Sequence, residues 1–152
     1  MFRGATTISL DAKGRLAIPT KHRDALQAQC AGNVVVTVHP HGCLLVYPQS
    51  VWEPIQARFG ELSGFGRLTS MYRDLVVGNA EDISLDVAGR LLISPSLREI
   101  GHLNKEVKLV GQVNHFRVWN LDVWNRRMED VMSGVVDESE LKLPPELEGF
   151  SL

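Results

Sequence analysis

At 152 residues, with 44% apolar and 22% charged side chains, the chain has the composition of an ordinary globular domain and enough length to bury a core. No apolar run approaches the ~20 residues of a membrane-spanning helix, and the opening Met1-Phe2-Arg3-Gly4-Ala5-Thr6-Thr7 lacks an apolar signal region, so a cytosolic protein without a membrane partner is expected. The formal charge of −2 argues against a nucleic-acid partner only on average, because residues 129–152 hold seven acids and one base, leaving residues 1–128 with 15 bases against 11 acids.

The predicted elements come twice along the chain. Ile8-Ser9-Leu10-Asp11-Ala12-Lys13-Gly14-Arg15-Leu16-Ala17-Ile18 returns 75 residues later as Ile83-Ser84-Leu85-Asp86-Val87-Ala88-Gly89-Arg90-Leu91-Leu92-Ile93, with eight of eleven positions identical, and a repeat of this kind fixes the architecture first. Residues 6–10 and 16–18 read as strands about a tight hairpin turn in which Gly14 supplies a positive φ, and Gly89 does the same in the second copy. A helix opens at Pro19 or Thr20, and its Arg23 and Asp24 align with Arg98 and Glu99. Residues 34–38 and 44–47 form a second strand pair about the turn His39-Pro40-His41-Gly42. The helix of Trp52 follows, with Ser50-x-x-Glu53 shaped as a capping box. Leu68, Met71, Tyr72, Leu75 and Val76 then mark an amphipathic helix ending at Gly78.

In the second copy Ser94 caps a helix with Pro95 at its first position and Gly101 at its exit. Strands at 107–110 and 116–119 lead to the helix of Trp124, with Asp122 as its cap and a register of 72, three residues having gone from the preceding loop. Beyond residue 133 the chain is acidic, contains Pro144-Pro145 and reads as an extended tail. Halves of roughly 70 residues are marginal alone, which favours two copies sharing one core.

The Asp-x-x-x-Arg turns are the leading functional candidates. A guanidinium binds phosphate bidentately or reads a guanine edge in the major groove, and Lys13 adds charge beside Arg15. Spacing alone equally allows Asp11 to pair with Arg15, and Asp86 with Arg90, simply to shape the loops. Val87-Ala88 stands where the first copy has Ala12-Lys13, so the first turn is expected to dominate binding. His39-x-His41-x-Cys43 has a spacing that suits a metal on a strand face, but Pro40 and Gly42 break that strand into a turn, and no metal or other cofactor is expected. Cys30 and Cys43 lack a Cys-x-x-Cys spacing and are expected to stay reduced. Trp52, Trp119 and Trp124 read as core residues ahead of base-stacking platforms. No phosphate-cradling loop, nucleophile elbow or zinc-protease motif is present in the sequence, so an enzyme is not expected.

With the opening Met1-Phe2-Arg3-Gly4, the repeat and its two Asp-x-x-Gly-Arg-Leu turns, nearly the whole chain resembles the MraZ family of bacterial transcriptional regulators. The resemblance implies an α+β, mainly β fold, a swapped-hairpin AbrB-like β-barrel formed by two internal repeats with flanking helices. Its domains would be SpoVT-AbrB copies at 5–52 and 81–124, a helical linker at 53–80, and a C-terminal helix and acidic tail at 125–152. It further implies homo-oligomeric rings that bind double-stranded DNA at direct repeats and repress their own gene and the division and cell wall cluster, on the nucleoid, with no small-molecule ligand. The carried-over site comprises Arg15 as principal reader, Lys13 and Arg3 as phosphate or base contacts and Arg90 as a secondary contact, with Asp11, Gly14, Asp86 and Gly89 shaping the turns. Arg3 is expected to lie near the first turn. The rival reading is a structural or protein-interaction ring whose Asp-x-x-x-Arg turns bridge subunits.

Overall fold

The computed structural model describes residues 1–62 and 66–134; the acidic tail lies outside the described residues. The first copy contributes β1 (Ala5–Ser9), β2 (Arg15–Ala17), α1 (Thr20–Cys30), β3 (Asn33–Val38), β4 (Leu44–Pro48) and α2 (Gln49–Glu61). After α3 (Arg67–Val76) the second copy contributes β5 (Glu81–Ser84), β6 (Arg90–Leu92), α4 (Pro95–Ile100), β7 (Glu106–Gly111), β8 (Phe116–Asn120) and α5 (Leu121–Ser133).

The later strand pair of each copy folds on itself as expected. β3 pairs with β4 about a turn in which Gly42 takes φ +96° and its amide donates to the His39 carbonyl at 2.9 Å, and β7 pairs with β8. The first strand pairs do not close on themselves. β1 runs antiparallel to β7 of the other copy, with Ile8 opposite Val107. In the same way β5 runs antiparallel to β3, with Ile83 opposite Val34. The two matching pairs put the repeat offset at 73 in β3 and β7, so two residues are lost before β7 and only the third within the hairpin loop.

The result is a six-stranded antiparallel sheet in the order β1-β7-β8-β4-β3-β5, which reads the same from either end when the copies are exchanged. Among the described residues the sheet does not close into the expected barrel. β1 and β5 remain as sheet edges, because β2 and β6 leave the sheet after the turns and pair with each other as a separate ribbon.

Alternation along the strands divides the core in two. Val34, Val36, Val38, Leu44 and Val46 face inward with Val107, Leu109, Phe116 and Val118, and the ribbon drops Leu16 and Leu91 into the same cluster, both fully buried. Val35, Leu45 and Tyr47 point to the opposite face, where α2 and α3 cover them with Trp52, Ile55, Phe59 and Val76. Val76 is fully buried, whereas Leu68 and Met71 of α3 stay half exposed. The α3 stripe therefore divides between the core and the surface.

Helix starts follow backbone preference more than side-chain caps. Ser94 accepts from the Leu97 amide, with Pro95 at the first helical position. The capping box at Ser50 is not used: Pro48 occupies the N-cap and Ser50 lies inside the first turn. Asn120, and not Asp122, caps α5 by accepting from the Val123 amide, and Asp122 sits in the acid-favouring first turn.

Leu16 and Leu91 face one another across the ribbon, so Leu16→Ala leaves a cavity beneath the junction of both copies. We expect it to lower the unfolding free energy by about 2–5 kcal/mol, and Leu16→Ala combined with Leu91→Ala to depart from additivity, as measured by urea titration.

Candidate nucleic-acid interface

Each Asp-x-x-x-Arg turn is organised by its carboxylate. Asp11 Oδ1 accepts from the amides of Lys13 at 3.0 Å and Arg15 at 2.9 Å, while Oδ2 accepts from Arg15 Nε at 2.5 Å. The second turn repeats the pattern: Asp86 Oδ1 accepts from the amides of Ala88 at 3.0 Å and Arg90 at 2.8 Å, and Oδ2 accepts from Arg90 Nε at 2.9 Å. Gly14 and Gly89 close the loops at φ +84° and +76°, each amide donating to the aspartate carbonyl at 2.9 Å. The Arg15 amide bond, aided by the other donors, holds the Asp11 carboxyl down at about 2. Asp86 is lowered from the ordinary carboxylate value for the same reason, the Arg90 amide foremost.

The two turns also support each other. Arg98, from α4 of the second copy, lies 2.7 Å from where a Cβ on Gly14 would stand, and Arg23 of α1 lies against the corresponding point over Gly89. Arg23 donates to the Ile18 carbonyl and Arg98 to the Ile93 carbonyl. The Ile18 amide reaches the Gly89 carbonyl at 3.0 Å, and the Ile93 amide reaches the Gly14 carbonyl at 3.1 Å. Local spacing does not place these helix arginines at the turns; their 75-residue alignment is the signal in the sequence that links them.

Between the turns the ribbon pairs Arg15 with Leu92, Leu16 with Leu91 and Ala17 with Arg90. Leu16 and Leu91 point into the core, so alternation places Arg15, Ala17, Arg90 and Leu92 on the outer face. The guanidinium side chains are 28% and 33% exposed, and Arg90 Nη1 lies 3.9 Å from Asp11 Oδ2. The loop-shaping contacts are thus present in both turns: each aspartate engages the Nε of its own arginine, and Asp11 also lies within ion-pair distance of Arg90. Lys13 stands exposed at the first turn.

Arg3 is not brought to this face. It lies at the opposite end of β1 from Asp11, its backbone against Gly111, with Phe2 bridged to Val113. The expectation that it sits near the first turn fails because β1 runs straight along β7. His39 and Cys43 do not make a ligand set: His39 Nδ1 accepts from the His41 amide, burial pushes the Cys43 thiol up to about 12 and His39 down to about 3. No group of three metal-ligating side chains comes together among the described residues. Trp52 and Trp119 are both 3% exposed, with Arg127 lying over the Trp119 ring, which makes them core residues and not stacking platforms.

Fold and site define a duplicated α+β protein whose two copies exchange strands and jointly present an arginine-bearing β-ribbon. A family model described as "MraZ protein, putative antitoxin-like" matches residues 1–72 and 76–137. The chain is 55% identical over 152 residues to a protein of Methylobacillus flagellatus, 49% identical to one of Nitrosospira multiformis and 45% identical to one of Pseudomonas aeruginosa, each comparison covering all of both chains. All three relatives carry the name transcriptional regulator MraZ, a regulator's name and not an enzyme's. The chain belongs to the MraZ family. No helix among the described residues is long and apolar enough to cross a membrane.

The acid response separates two windows. His39, with its folded value lowered from 6.5 to about 3, favours the folded state when neutral, so its stabilisation is present above 6.5 and is lost as pH falls toward 3. Asp11, lowered from 3.8 to about 2, loses its contribution only below 3.8. We expect the carboxyl carbon of Asp11 to titrate by NMR near pH 2, with global stability already declining below pH 6.5 in urea melts.

Proposed function

We propose that the protein is a sequence-specific DNA-binding transcriptional repressor, acting on its own gene and on the division and cell wall cluster, and working in the cytoplasm on the nucleoid. The observation that carries this reading is the outer face of the β2–β6 ribbon, where two aspartate-held arginines stand diagonally across a two-stranded platform. A B-DNA major groove, ~12 Å wide, admits such a ribbon, and arginine is the commonest reader of guanine there. A guanidinium already held by Asp11 or Asp86 loses little freedom on binding. The names of the relatives support the same conclusion.

Arg15 is the principal reader, Lys13 contacts phosphate or a base edge, and Arg90 contributes from the second turn. Arg3, at the far end of β1, is assigned only a phosphate contact outside this head. The interlocked copies at 5–52 and 81–124 act as SpoVT-AbrB domains in the family's swapped-hairpin arrangement, joined by residues 53–80 and followed by 125–152. One head with few positive charges binds weakly, on the order of 10⁻⁴–10⁻⁶ M when it contacts phosphates alone. A head-to-tail homo-oligomeric ring engaging several direct repeats raises the overall affinity by roughly 10²–10⁴. The exposed Leu68 and Met71 of α3 and Val131 and Met132 of α5 supply apolar surface for its contacts.

The test is fluorescence anisotropy on upstream duplexes carrying one, two or three repeats, over a salt series. Wild-type affinity should climb with repeat number and fall steeply with salt. Arg15→Ala should lose about 10- to 100-fold in affinity while light scattering shows the oligomer intact. Dissociation of the oligomer by Arg15→Ala, with no sequence-dependent binding by the wild type, would instead mark an interaction ring.

A further inference from the structure

The ribbon is nearly two-fold symmetric in backbone and clearly asymmetric in chemistry. Arg15 is flanked by Lys13 on its own turn and by Leu92 directly across the ladder. Arg90 is flanked at the matching positions by Ala88 and Ala17. Directly opposed residues of an antiparallel pair carry Cβ atoms about 4.5–5.5 Å apart on the same face, so the Leu92 side chain stands beside Arg15. Leu92 is 54% exposed and belongs to none of the buried apolar clusters. A single exposed leucine is unremarkable by itself. Here, however, the other copy shows that the same backbone position is satisfied by Ala17, so folding does not require a leucine there.

Resting on the DNA-binding reading above, we propose that Leu92 is a specificity-determining residue that seats on the 5-methyl group of a thymine next to the base read by Arg15. Thymine is the one base that presents an apolar group in the major groove, and an aliphatic side chain beside a guanine-reading arginine matches a guanine and thymine neighbour pair. The same asymmetry orients the head. A symmetric ribbon reads a palindrome equally well both ways, whereas a half carrying Lys13, Arg15 and Leu92 opposite a half carrying Ala88, Arg90 and Ala17 reads a non-palindromic element in one direction.

The experiment is anisotropy on the multi-repeat duplex in which each thymine position of the repeat is replaced in turn by deoxyuridine, with wild type and Leu92→Ala. Removing one buried methyl should weaken wild-type binding about four-fold per engaged head at a single position, and Leu92→Ala should bind thymine and uracil duplexes alike there. The proposal is overturned if every uracil duplex binds as well as its thymine parent, or if the uracil penalty persists in Leu92→Ala. It also falls if Leu92→Ala dissociates the oligomer, which would make Leu92 a subunit contact. In each of these cases Arg15-dependent recognition of the repeats survives, so the DNA-binding reading stands. Loss of all Arg15-dependent recognition in the wild type overturns both.

Discussion

Everything in this protein depends on the crossing of its two copies at the β2–β6 ribbon. A strand that leaves a turn must find partners for its amides and carbonyls, and in each copy those partners come from the other. β2 pairs with β6, Ile18 reaches the Gly89 carbonyl and Ile93 the Gly14 carbonyl. Beneath them Leu16 and Leu91 meet in the shared core. Because neither copy can satisfy this stretch of backbone alone, the chain is one cooperative unit, and the two Asp-x-x-x-Arg turns are held at a fixed separation.

That separation gives the site its character. Asp11 and Asp86 each organise a loop through backbone amides and hold an arginine by Nε, so positive groups are positioned before any partner arrives. Arg98 over Gly14 and Arg23 over Gly89 extend the clasp to the helices of the opposite copies. A larger residue at either glycine would meet both an unfavourable φ and a guanidinium. The turns are thus held by backbone hydrogen bonds and packing as well as by their ion pairs.

Duplication within one chain also lets the copies diverge. A homodimer of a single copy would carry identical turns, whereas here Lys13 of the first copy corresponds to Ala88 of the second, and Ala17 to Leu92. The helices after the hairpins diverge as well. α2 buries Trp52, Ile55 and Phe59, while α5 has no fully buried residue and leaves Val131 and Met132 exposed. The first copy's helix is built into the core, whereas the second copy's leaves apolar side chains exposed.

By itself the sequence determined the duplicated pattern, the turn chemistry and the candidate arginines, because these are local: Gly14 and Gly89 suit positive φ, Ser94-Pro95 starts a helix, and the β-branched run at 34–38 makes a strand. Only the tertiary structure decided that the first strand pairs part and exchange partners, that Arg3 lies a strand's length from the first turn, and that Leu92 stands beside Arg15. Strand pairing is chosen by hydrogen bonds and packing between residues far apart in the chain, as Ala5 and Val110 are. A hairpin that closes on itself and one that opens to embrace a second copy carry the same turn residues, and here the opened arrangement buries Leu16 opposite Leu91.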